Sequence, residues 1–179
     1  MLLYSTNAFV ATRGQMSMKM AGVSAPLGFF DPLGFSKTDA KTMAKYRDSE
    51  LKHGRVAMLA VFGWLTQERF HPFYDGKLSG NPLKAAFEAP SLAYVQIFAF
   101  CGFLEWVLSS ASKKEGYVPG DFYGISSRIS DKDDESWVGF QTRELNNGRL
   151  AMFAILCEIV HAQISDKGAF EQLHSVGMI

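Results

Sequence analysis

Glu50 and His53 stand three residues apart, a spacing that puts a carboxylate and an imidazole on one edge of a helix. Glu144 and Asn147 repeat the arrangement, with an amide in place of the imidazole. Carboxylate, imidazole and amide oxygen each offer a lone pair to a metal, and none of them is a soft ligand. Arg55 and Arg149 follow the two pairs at the same distance. Their electrostatic purpose is plain, because an isolated ionised acid in a lipid-facing helix costs at least about 2.5–3.5 kcal/mol. Two crossing helices would pair Glu50 with Arg149 and Glu144 with Arg55, leaving each carboxylate one oxygen for a metal.

The two edges belong to a longer repeat. Glu50-Leu51-Lys52-His53-Gly54-Arg55-Val56-Ala57-Met58-Leu59-Ala60 recurs, offset by 94, as Glu144-Leu145-Asn146-Asn147-Gly148-Arg149-Leu150-Ala151-Met152-Phe153-Ala154, with seven of eleven residues identical. One Glu-x-x-His followed by Arg is also an ordinary solvated salt-bridge pattern. Two copies in register, each ahead of an apolar run, point instead to a pseudo-two-fold pair of helices. Gly54, Ala57, Ala60 and Gly63, with Gly148, Ala151 and Ala154, are expected to let those helices approach closely. Single hard donors at separate points suit a metal that already has most of its ligands. The magnesium of a chlorophyll, held by four ring nitrogens, needs one axial donor; an all-protein magnesium cage needs an octahedral oxygen shell, which this sequence does not supply.

Three long helices are predicted to carry these residues: roughly Thr38 to Phe70, from just after Pro90 to about Ser112, and about Gln141 to Ile164. Loops rich in Gly, Pro and Asp join them, such as Asp75 to Pro82. A membrane span needs about 20 mostly apolar residues. Leu92 to Leu108 qualifies, whereas the other two helices become apolar only after a charged entrance, at Val56 to Leu65 and Leu150 to Ile159. The mean hydropathy is zero, so hydropathy by itself leaves a membrane protein and a soluble bundle both open. The 179 residues are 47% hydrophobic, include 15 Phe and have no net charge, which gives no support to nucleic-acid binding. Cys101 and Cys157 read as small core-facing hydrophobes. The first thirty residues hold no acid before Asp31; residues 1–24 read as a transit-peptide remnant or a flexible arm, and residues 25–179 as the helical domain. Pro26 to Phe35 is expected to be an ordered, non-helical lead-in.

The paired motif resembles the first and third transmembrane helices of light-harvesting chlorophyll-binding proteins. Gln96-Ile97-Phe98-Ala99-Phe100-Cys101-Gly102-Phe103-Leu104-Glu105 is similar to the middle helix of their chlorophyll a/c branch, the fucoxanthin, peridinin and cryptophyte type of antenna. The resemblance covers roughly residues 25 to 175. It implies an all-α membrane protein with three transmembrane helices, the first and third a pseudo-two-fold crossed pair, and a short amphipathic C-terminal helix over Gly168 to Leu173. It implies chlorophyll a with chlorophyll c, xanthophyll carotenoids, and a multi-pass place in the plastid thylakoid membrane among lipids, other antenna subunits and a photosystem I or II core. Carried over by position, Glu50, His53, Glu144, Asn147, Gln96, Glu105 and His161 become axial magnesium ligands. Arg55 and Arg149 match charge-pairing arginines that also touch pigment, and His174 matches a C-terminal ligand loosely. His71 has no firm counterpart and reads as a solvated or capping histidine. Glu158 falls about 40° from Glu144 by helix phase; a ligand, a proton-sensitive group and an acid reaching the interface are all open, the last preferred.

No catalytic residue is assigned. The rival from another class is a membrane di-iron carboxylate enzyme, since Glu-x-x-His pairs on bundle helices are its signature. Here the second copy carries Asn147, an arginine stands beside each glutamate, and the bridging glutamates of the other helices are missing. Within the antenna reading, the alternative is a photoprotective member that dissipates excitation.

Overall fold

The computed structural model describes residues 21–70, 76–113, 117–125, 135–165, 167–175 and 177; His71 lies outside them. Among the described residues five α-helices follow in order: α1 (Ala40–Arg69), α2 (Pro82–Glu88), α3 (Ser91–Ser112), α4 (Glu135–Ser165) and α5 (Ala169–Ser175). Among the described residues there is no strand. Two compact units are distinguished, one of Met1–Lys52 with Val118–Asn147, the other of His53–Tyr117 with Gly148–Ile179.

In the first unit the lead-in is ordered and non-helical up to a single 3-10 turn, Phe35–Lys37. Gly28 closes a tight turn at φ 62° by donating its N–H to the Ser24 carbonyl at 2.9 Å. Asp31 then organises the entry to α1: its carboxylate accepts from the Phe35 and Ser36 amides at 3.0 and 2.9 Å and from the Ser36 hydroxyl. Asp39 precedes α1 and accepts from the Thr42 N–H at 3.2 Å and its hydroxyl at 2.7 Å, which satisfies an amide the helix start leaves without a partner. Two bonds strap the segment before Pro26 to α4: the Gly22 amide donates to Thr142 Oγ1 at 3.1 Å, and Asn146 Nδ2 to Ser24 Oγ at 3.2 Å.

In the second unit, α2 appears where only a loop is expected. Asn81 caps it, accepting from the Leu83 amide at 3.0 Å, and Pro82 occupies the first helical position, where its missing N–H costs nothing. Gln67 of α1 donates to the Ser79 carbonyl at 3.4 Å, which ties this segment to the helix. Helix α4 begins six residues before the expected Gln141, through Glu135, Ser136, Trp137, Val138, Gly139 and Phe140.

Helices α3 and α4 are long and apolar enough to cross a membrane; α1 is not among the helices that meet that description. No residue of the α3 window Ser91–Ser110 is buried, and Phe98 and Trp106 are 73% and 69% exposed. A long apolar helix with no buried residue suits a non-aqueous environment or an apolar partner better than water. Cys101 and Cys157 share that exposure and so do not face a protein core, contrary to the sequence reading: apolar flanks mark a core-facing residue only where water is the solvent.

Candidate functional site

The two copies of the repeat adopt the same environment at nine of their eleven positions, the exceptions being Arg55 with Arg149 and Ala60 with Ala154. Leu51 and Leu145 are buried at 9% and 3% exposure, and Ala57 and Ala151 at 6% and 8%. Glu50 and Glu144 are half-buried, while His53 and Asn147 are exposed. The seam therefore takes the leucine, glycine and alanine of each copy, and the donor three residues after each glutamate turns outward. An outward imidazole or amide with apolar neighbours can meet a broad, flat ligand that a packed seam would exclude.

At Gly54 and Gly148 the backbones touch. A Cβ on Gly54 would lie 2.9 Å from Gly148 Cα, and one on Gly148 would lie 3.0 Å from Gly54 Cα. Equivalent glycines meeting each other is the mark of a pseudo-two-fold crossing, and only a residue without a side chain fits there. The rest of the small-residue stripe behaves differently. Ala154 is half-buried, and Ala60 and Gly63 are exposed. Successive steps of three fall about 60° short of a full turn, so a stripe counted in threes walks off the seam.

Glu50 has a partner that the crossed pairing does not foresee: Arg47 Nη1 lies 2.9 Å from Glu50 Oε2, one turn earlier on α1. The signal for it was an opposite charge at i−3. Arg55 is half-buried and Arg149 exposed. Gln96 and Glu105 are both exposed on α3; nine residues apart, they point to opposite sides of that helix. His161 is exposed on α4, in an open groove of about 350 Å³ lined by Leu156, Cys157, Val160, Ile164 and Ser165. His174 is exposed in the last turn of α5. Glu158 is half-buried and shares the packed face of α4 with Ala151 and Ala162, the latter 4% exposed.

Among the described residues no three of His, Cys, Asp and Glu converge on one metal position. The residues expected to be donors do not cluster, and His161 stands beside the apolar side chains of Leu156, Val160 and Ile164. That fits a metal whose macrocycle brings its own four nitrogens and whose flat faces cover apolar side chains.

Comparison with known proteins agrees with this geometry. The family described as chlorophyll A-B binding protein matches residues 17–163. The chain belongs to that family. Fucoxanthin-chlorophyll a-c binding protein B of Macrocystis pyrifera is 36% identical over 181 residues, 91% of this chain and 81% of the relative. Protein D of the same series and organism is 37% identical over 171 residues, 84% of this chain and 92% of the relative. Light-harvesting complex stress-related protein 3.2 of Chlamydomonas reinhardtii is 34% identical over 172 residues, 86% of this chain and 66% of the relative. The resemblance that rests on the repeat and the middle helix thus extends along most of the chain.

Proposed function

We propose that this chlorophyll-binding family member is a light-harvesting antenna protein of the chlorophyll a/c branch that passes excitation to a photosystem. The observation that carries the reading is the duplicated donor edge, half-buried glutamate and outward His53 or Asn147, in the same environment in both copies. Glu50, His53, Glu144, Asn147, Gln96, Glu105 and His161 are the axial donors to chlorophyll magnesium, and His174 serves a further pigment. Arg55 and Arg149 balance charge near the glutamates and contact pigment. Chlorophyll a, chlorophyll c and xanthophyll carotenoids, when bound, supply light absorption and excitation transfer. The chain's residues hold, orient and shield them from water, and they make and break no covalent bond.

The domain of residues 25–179 crosses the plastid thylakoid membrane three times. Support for α1 as the third span is the equivalence, by the repeat, of its apolar half from Val56 with the α4 run from Leu150. The bare α3 surface is then met by lipid and pigment, and by neighbouring antenna subunits and a photosystem I or II core. A fluorescence excitation spectrum tests the function: light absorbed by chlorophyll c and carotenoid should emerge as chlorophyll a emission. Emission that follows chlorophyll a absorption alone would contradict it.

The relatives named for stress favour a second reading, in which the same scaffold dissipates excitation. A chlorophyll a fluorescence lifetime strongly shortened in the isolated, unaggregated protein would select that reading; a long lifetime selects harvesting.

A further inference from the structure

Beyond the proposed pigment donors, a long-range polar contact in the second unit joins the end of α1 to the start of α5. Glu68 Oε1 accepts from the Ala169 N–H at 2.8 Å, and Glu68 Oε2 from the Phe170 N–H at 2.9 Å. The two bonds span 101 and 102 residues of sequence. The next residue of α1 adds to the grip, since the Arg69 guanidinium lies over the Phe170 ring at 4.6 Å. Gly168 is buried beneath the carboxylate, where a Cβ would come within 2.7–2.9 Å of the Glu68 carboxyl atoms. Carboxylate, guanidinium, two amides and a glycine therefore make one built clamp. A short helix such as α5 has little stability of its own and depends on such tertiary contacts.

We propose that Glu68 is the positioning residue for the C-terminal pigment: by clamping Ala169 and Phe170 it fixes the helix whose last turn carries His174. This rests on His174 being a pigment ligand. Only an ionised carboxylate supplies two equivalent acceptors to two amides at once. Glu68→Gln keeps the shape but turns an N–H₂ donor toward one of the amides. Gly168→Ala keeps the charge but displaces the carboxylate, the mobile end of its side chain.

The test refolds wild type, Glu68→Gln, Gly168→Ala and His174→Leu with chlorophylls and carotenoid, then compares amide exchange at Ala169 and Phe170 with the difference absorption spectra. The clamp predicts at least tenfold faster exchange at both amides in Glu68→Gln and in Gly168→Ala. It also predicts that these variants weaken or broaden the same absorption band that His174→Leu removes, with the remaining bands intact. Unchanged exchange in both clamp variants overturns the clamp. Faster exchange with that band untouched overturns the positioning role. If His174→Leu keeps every band, the ligand reading fails and takes the pigment half of the inference with it, while the exchange rates still report the clamp.

Discussion

His53 is the residue on which a side chain's lone pair can be separated most cleanly from its packing. It is exposed, so His53→Leu leaves no cavity and should change folding stability by no more than about 0.5 kcal/mol. One chlorophyll should nevertheless be lost per polypeptide on reconstitution, as a single band in the difference spectrum. An unchanged pigment count would make His53 a structural residue. Asp31 and Asp39 make a different kind of prediction, because both lie ahead of α1. The Ser36 hydroxyl and then its amide hold Asp31 below the usual carboxylate value of 3.8, and the Thr42 hydroxyl and then its amide do the same for Asp39. A carboxyl with a lowered folded pKa contributes stability that is complete above 3.8 and fades as the pH falls through the lower folded value. Thr42 amide protection, corrected for intrinsic exchange, should therefore drop in strong acid in the wild type. In Asp39→Asn it should not follow the same titration, and identical profiles would contradict the assignment. These caps were not singled out from sequence, although Asp before a helical run is a readable start signal.

At the scale of the helices, the glycine contact is the feature that a substitution strikes hardest. Gly54→Ala or Gly148→Ala drives a Cβ into the opposite backbone, which cannot swing aside as a side chain would. Overpacking of this kind costs typically about 1–3 kcal/mol, so the yield of pigmented protein on refolding should fall sharply for either variant. A wild-type yield would mean that the crossing is looser than the backbone distances indicate. Gly63→Ala is the control, since a Cβ there meets nothing within 4 Å. The helix periods, the proline stops and the repeat made α1, α3 and the crossing legible in advance. The early start of α4 was not, because Gly139 interrupts the run before Gln141. Helix α2 is hidden because Asp75 to Pro82 reads as a loop, when Asn81-Pro82 is equally a cap followed by a first helical residue. Among the donors, residue type and spacing were readable. What they did not contain was outward direction, which depends on which face the seam takes, nor Arg47, whose claim on Glu50 is a matter of rotamer.

At the scale of the molecule, the described residues leave many large apolar side chains exposed. A helix with no buried residue, Glu, His and Asn side chains that the proposal makes single donors, and a groove beside His161 all leave room for partners outside the chain. The sequence could point to such partners, because the residue types and their three-residue spacing on a helix are local information. Their number and kind depend on the space between helices, which no local pattern encodes. The most direct test is pigment chromatography of the protein purified from its membrane. Chlorophyll a together with a chlorophyll of the c type and a xanthophyll, in several copies per polypeptide, is the result expected. Chlorophyll b in place of c would move the chain to another branch of its family, and a colourless protein that retains iron would contradict the account altogether.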